Sequence, residues 1–366
     1  VNRVRATTLE DVARAAGVSR ATVSLALAGT GRLSDETRAR VRAVAAELDY
    51  TVNVGASNLR RARAGALGVY LPESTNGLAY YMDFVFGAVE TAAASGQSVT
   101  IVAGAAAGER ARAHVDGYIL IDPPDDDPVV RRILGGRLPV VSGERVPSGL
   151  PAPWGVVYSD HRRGMTALMN HVAERGAARP ALIAPPANTV WGSEVRHAYL
   201  AWCADNGVQP IVRESPERFM PDDVRRVATE LLGGGDRPDA IISAPDGSAV
   251  GAVSAARALG LEVGTDVLIT AYADSLAMQM ADPPITAIDL RARDFGRHCA
   301  AMLLSALDGD GEGVGDGGGS GNAGDDVEAE TGGHSDVEAE VFTIDLRVRA
   351  STGAPPPPAP PAPTTP

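Results

Sequence analysis

No lysine occurs anywhere in the 366 residues, and all 33 basic side chains are arginine. A Walker-type phosphate loop, which needs its lysine, is therefore excluded, and no G-x-G-x-x-G cradle follows any apolar run. Cysteine is almost as scarce. Cys203 and Cys299 alone supply neither a disulfide framework nor a metal-ligand spacing. The six histidines (His114, His161, His171, His197, His298 and His334) are scattered, so no metal or other cofactor is expected. There is no G-x-S-x-G elbow and no telling Ser/His/Asp set, which counts against an enzyme although a fold alone does not. No apolar run matches a bilayer's thickness, and the first residues lack the apolar core of a secretory signal. A cytoplasmic protein without membrane contact is expected.

What is present is unevenly distributed. The net charge is −13, yet residues 1–64 carry 11 arginines against 6 acids, a net of +5, and the rest carries −18. Phosphate neutralisation needs positive charge only locally, so a basic head on an acidic body suits a nucleic-acid-binding head. At this length two or three domains are expected.

Residues 8–28, TLEDVARAAGVSRATVSLALA, organise that head. Leu9, Val12, Ala13 and Ala16 fall on one helical face. Gly17 and Val18 break the period, and a second run starts at Ser19 with Val23 and Leu27 inward. Thr8 and Ser19 can cap the two helices, and Asp11 completes a variant capping box. Two short helices around a glycine turn spell a helix-turn-helix, whose second helix would enter a DNA major groove. The same spacing also fits an ordinary helix pair. Ser34 caps a third helix with Val41, Val44, Ala45 and Leu48 inward. Residues 53–61 read as a linker, or as a helix too short to be ordered unless docked.

From residue 65 short apolar runs alternate with amphipathic ones, which predicts parallel sheets covered on both faces. Many of the strands end in Pro-, Asp- or Ser-rich loops (LPEST, IDPPD, YSD, IAPPAN, SAPDG, AYADS). Ligands in such sheets sit beyond the carboxyl ends of the strands, so these loops are candidate site walls. Residues 308–340 are glycine-rich with 11 acids and no arginine, and repeat DVEAE at 326–330 and 336–340. Such a composition cannot bury enough apolar surface to offset ordering and reads as a disordered acidic insertion. VFTIDLRVRAST then returns as one strand, and residues 351–366 form a proline-rich tail.

TLEDVARAAGVSRATVS, LSDETRARVRAVAAELDY and the N-x-x-A-x-x-L of Asn53, Ala56 and Leu59 resemble the lactose/galactose repressor (LacI/GalR) family of transcription regulators. DPPITAI at 282–288, DFG at 294–296 and LRVRAST at 346–352 resemble its closing elements. The resemblance implies an N-terminal all-α helix-turn-helix domain plus an α/β, periplasmic-binding-protein-like effector domain of two doubly wound lobes. The expected segments are a head at 1–52, a hinge helix at 53–64 and an effector domain at 65–350. Lobe 1 would take about 65–160 and 290–307, and lobe 2 about 161–289 and 341–350.

The resemblance also implies the partners: double-stranded operator DNA, a small-molecule effector with a sugar as the expected class, and a second copy of the chain, as a dimer or a tetramer. DNA contacts would come from Thr8, Ser19, Arg20, Ala21, Thr22, Ser24, Leu25 and Arg32. Arg20, Ala21 and Leu25 would stand at base-reading positions, and Leu59 would wedge into a minor-groove step from a hinge of Asn53, Ala56 and Leu59. The effector would meet Asn76, Trp191, Arg196, Asp246 and Asp274, with Arg196 as the clamp, leaning on Asp274 or Asp246 without ligand. Departures from the family pattern are Leu25 for a frequent arginine, Val52 for proline, Pro245 for asparagine and Ala273 for aspartate. The rival readings are a solute-binding or sensor protein with an atypical, non-sugar effector, and an enzyme on the same fold. DNA binding separates both from a regulator acting on the nucleoid.

Overall fold

A computed structural model describes residues 7–50, 63–72, 79–103, 114–185, 187–215, 221–309 and 337–353. Contacts divide the chain into two units, Val1–Ala64 and Gly65–Pro366.

The first unit is three helices, α1 (Leu9–Ala16), α2 (Arg20–Ala28) and α3 (Asp35–Glu47). Each begins at a hydroxyl. Thr8, Ser19 and Ser34 accept the amides of Asp11, Thr22 and Thr37, and the Asp11 carboxylate returns a bond to the Thr8 amide, closing the capping box. Gly17 ends α1 at φ 68°, a left-handed turn that a side chain would strain. Val12, Val23 and Val41, one from each helix, are fully buried with Ala13, Ala16, Ala26 and Ala45 around them. Leu9, Leu27, Val44 and Leu48, expected inward, are only partly buried at the rim of this core.

The second unit contains two six-stranded sheets. In lobe 1, β1 (Ala66–Leu71), β2 (Ser98–Ala103), β3 (Gly117–Ile121), β4 (Val140–Gly143), β5 (Gly155–Ser159) and β11 (Glu338–Phe342) are all parallel, in the order β11-β5-β4-β3-β1-β2. Helices α4 (Ala79–Ala94), α5 (Pro128–Leu134) and α11 (Ala292–Gly309) cover it. Where α4 and α11 cross, a Cβ at Gly296 would stand 2.0 Å from the Phe84 carbonyl oxygen, so only glycine admits the crossing. In lobe 2, β6 (Pro180–Ala184), β7 (Ile211–Glu214), β8 (Ala240–Ser243), β9 (Leu268–Ala271), β10 (Thr286–Asp289) and β12 (Asp345–Arg347) run in the order β12-β10-β9-β8-β6-β7, with only β12 antiparallel. Helices α6 (His161–Glu174), α7 (Val190–Asp205), α8 (Pro221–Leu232), α9 (Ala249–Ala258) and α10 (Leu276–Met280) pack around it. The central strands are buried on both faces, which is why they read as unbroken apolar runs.

Three expectations are corrected. The strand expected from VFTIDLRVRAST is two strands in different lobes: β11 joins lobe 1, not lobe 2, and β12 joins lobe 2. Phe342 packs into lobe 1 beside Phe295, Ile344 packs onto the lobe 2 core, and the chain crosses between them. The insertion is shorter than 308–340 at both ends, because α11 continues to Gly309 and β11 begins at Glu338. Glu338 and Glu340 are exposed on an edge strand held by backbone pairing to β5, which acidic side chains do not oppose. The tail starts later than 351: a 3₁₀ turn, Ala350–Thr352, buries Ser351 and Thr352. Ser351 Oγ donates to the Ile269 carbonyl at 2.6 Å and accepts the Thr286 amide at 2.9 Å.

Candidate functional site

On the first unit the capped α2 presents Arg20, Ala21 and Leu25 to solvent, with Ser24 half-buried between them. These positions share one helical face, opposite Val23 and Ala26 in the core. Ser19 and Thr22 bond to each other at the helix start (2.8 Å), and Arg32 is exposed beyond its end. Arg20 lies 3.6 Å from Glu10, and both side chains are more than half exposed. Such a pair is worth little, so the guanidinium is free to exchange it for a nucleic-acid partner. Thr8 contributes the cap of α1. Asn53, Ala56 and Leu59 lie outside the described residues.

In the second unit the carboxyl ends of the strands bring the lobes together along a polar seam. Asp122 follows β3 and Glu144 follows β4, at φ 44° and 80° respectively. Non-glycine residues held in this region are strained, and here both face the other lobe. The Tyr272 hydroxyl donates to the His161 carbonyl at 3.0 Å, and His161 Nδ1 lies 3.1 Å from that same hydroxyl. With its single proton on the carbonyl, the phenol oxygen can only accept from Nδ1, which fixes one proton on the ring. Nε2 stands 3.1 Å from Glu144 Oε2, a charge contact without good hydrogen-bond alignment. Asp246, after β8, accepts the Tyr80 amide of α4 at 2.9 Å, and the Asp125 amide donates to the Asn188 carbonyl at 2.9 Å. Thr189 caps α7, and its side chain faces Asp122 closely enough to lower that carboxyl. Arg145 pairs with Glu194 at 2.5 Å over the Tyr158 ring.

Burial, then the neighbouring Glu144 charge, raises the Asp122 carboxyl to about 7; the Thr189 side chain and His161 oppose this. Burial would lower His161, but Glu144 outweighs it and raises the imidazole, so the ring carries its second proton readily. Burial also raises Asp246 against the backbone amides that it accepts. Several buried atoms lack a protein partner among the described residues: Asp122 Oδ1, Asp246 Oδ1, Ser159 Oγ and Trp191 Nε1. Buried polar groups are normally satisfied, so these four atoms on residues of the seam stand out. A cavity of about 540 Å³ also opens beside Arg145, Tyr158, Asp160, Glu194 and His197, but its Arg145 and Glu194 already satisfy each other.

Of the effector residues expected from sequence, Trp191 and Asp246 lie at this seam. Arg196 does not lean on Asp274 or Asp246. It pairs with Glu214 of β7 at 2.6 Å, two turns into α7. Asp274 is held by Arg349, and Asn76 lies outside the described residues. Sequence reasoning missed Asp122, Glu144, Thr189 and Tyr272, and treated His161 as an isolated histidine. The IDPPD and YSD loops were the available signal, since both follow strands.

Two family models match the chain: bacterial regulatory proteins of the lacI family over residues 8–53, and a periplasmic binding protein-like domain over 169–314. The chain is 29% identical to the HTH-type transcriptional regulator CelR of Thermobifida fusca over 322 residues, covering 85% of this chain and 94% of that one. It is 28% identical to the repressor CytR of Escherichia coli K12, covering 83% and 91%. Among solved structures, a lac repressor dimer bound to operator and the anti-inducer ONPF superposes with a TM-score of 0.74 at 24% identity, over 96% of this chain and all of that one, a likeness of fold. A CelR–cellobiose complex superposes at 0.66 with 26% identity, over 94% and 99%. Residues 8–53 thus match the DNA-binding domain of the lacI family of bacterial regulatory proteins, and the chain is similar over most of its length to DNA-binding regulators of transcription.

Proposed function

We propose that this regulator is a repressor that binds a near-palindromic operator as a dimer and releases or tightens its grip when a small molecule enters the seam between the lobes. The observation that carries the DNA half is the capped α2, with Arg20, Ala21, Ser24 and Leu25 on its open face. Thr8, Ser19, Thr22 and Arg32 serve as phosphate and positioning contacts, and Asn53, Ala56 and Leu59 as the hinge. It acts in the cytoplasm, on the nucleoid.

The effector half rests on the four unpartnered atoms at the seam, with Trp191 and Asp246 as ligand contacts beside Asp122, Glu144 and His161. Arg196 reaches a ligand only by leaving Glu214. A sugar is the expected class, since a solved structure of CelR is a complex with cellobiose. Ligand changes DNA affinity only through its differential affinity for the lobe arrangements. The test is a mobility shift on DNA flanking the gene, with and without a sugar panel. Binding no tighter than to random DNA of equal length would refute the reading.

A further inference from the structure

The seam has an excess of acceptors. Asp122 and Asp246 are more than nine-tenths buried, and each has one carboxylate oxygen without a protein partner among the described residues. Ser159, fully buried at the end of β5, has a hydroxyl in the same condition, while its amide faces the Glu144 carboxylate at 3.3 Å. The charges of Asp122, Asp246 and Glu144 all reach the buried phenol of Tyr81 and, with burial, raise its pKa.

Cations are scarce there. His161 is the cation that faces Asp122, and it is already placed against Glu144. The largest charge felt by Asp246 is the like charge of Asp83. The arginines nearby are committed elsewhere: Arg145 to Glu194, Arg196 to Glu214 and Arg349 to Asp274. A neutral polyol could donate hydrogen bonds to the open oxygens but would leave the buried charge uncompensated. An ammonium group answers both needs, because a carboxylate bonds most strongly to a charged donor. The Tyr80 and Tyr81 rings, edge to face at 5.3 Å, and the half-buried Trp191 supply aromatic surface of the kind that receives cations.

We propose that the seam takes a cationic, hydroxylated ligand, an amino sugar, whose ammonium is received by the open oxygens of Asp122 and Asp246 beside these rings. The proposal rests on the seam being the effector site and narrows its ligand from sugars in general to amine-bearing ones.

The test uses the full chain and matched pairs: D-glucosamine with D-glucose, D-galactosamine with D-galactose, and D-mannosamine with D-mannose, titrated by calorimetry at about pH 7. In at least one pair the amine should bind at least about tenfold more tightly than its neutral partner. That preference should vanish in Asp122→Asn and in Asp246→Asn. A second readout needs no ligand. If Asp122 awaits a cation, Asp122→Asn relieves an uncompensated buried charge and raises the melting temperature of the free protein, whereas an unchanged or lower value overturns the proposal. Neutral sugars that bind as tightly as their amines in every pair that binds overturn it too, yet leave the seam as the effector site. No binding by any of the six compounds also overturns it, and the operator assay then judges the regulatory reading on its own.

Discussion

Arg349 grips Asp274 with both arms of its guanidinium: Nη1 to Oδ1 at 2.9 Å and Nη2 to Oδ2 at 2.6 Å. The carboxylate is buried and the arginine nearly so, and Nη1 also donates to the Ile285 carbonyl at 2.6 Å. This fork ties the 3₁₀ turn at Ala350–Thr352 to the loop after β9. Removing one partner of a buried pair strands the other, so Arg349→Ala should cost about 3–5 kcal/mol in urea unfolding. Arg349→Ala/Asp274→Ala should cost less than the sum of the single changes; simple additivity would show that the two do not act as a pair.

The Asp122 carboxyl supplies a pH signature. Its folded value of about 7 stands above the unfolded one, so the protonated form favours the fold. Its contribution is fully present below the unfolded value and is lost as pH rises toward 7. Glu144 and His161 face it within lobe 1 and at the lobe junction, and Thr189 faces it from lobe 2. Wild type minus Asp122→Asn stability should therefore fall steadily between about pH 4 and pH 7. A flat difference in chemical unfolding across that window would mean that the carboxyl is not held protonated.

Arg20 gives up only an exposed contact with Glu10 when it meets DNA. On the operator, Arg20→Ala should cost about 1–3 kcal/mol and relax discrimination at one base position in each half-site. Fluorescence anisotropy on single-base operator variants measures this. An equal loss on every sequence would identify a phosphate contact instead.

The capping box of α1 is a local device with a local readout. Thr8→Ala removes the acceptor of the Asp11 amide and should cost the first unit about 1 kcal/mol. Hydrogen exchange at the Asp11 amide should accelerate in step, and unchanged protection there would show that the cap contributes nothing.

The head was legible because its signals are local. Thr8, Ser19, Ser34 and Gly17 sit where caps and a turn require them, and Val12, Val23 and Val41 follow the helical period. Most sheet strands were legible for a similar reason, being short apolar runs between polar loops. β7, with Ile211 and Val212 only partly buried and Arg213 and Glu214 exposed, carried no such run and went unread. The split between β11 and β12 was hidden because one continuous β-like stretch cannot disclose which sheet each half joins. The seam was harder still. Asp122 and Glu144 follow neighbouring strands of lobe 1, His161 and Tyr272 belong to lobe 2, and only the meeting of the two lobes brings the pairs together. Arg196 showed the converse, since a matching position did not reveal that Glu214 would take its charge.

The connections between the lobes set what kind of movement the second unit allows. Asp160 alone separates β5 from α6, Leu290 and Arg291 separate β10 from α11, and Thr343 and Ile344 separate β11 from β12. The Arg291 guanidinium lies over the Phe342 ring at 5.0 Å, which places two of these links side by side. Links this short cannot stretch, so sliding or pulling apart is excluded, and the lobes can only swing about a line through the three links, like a book on its spine. Reach then grows with distance from the spine. A given twist at Asp160 moves Thr189 and Asp122 apart least if they lie near the spine and most if they lie at the open edge, so ligand size translates into angle.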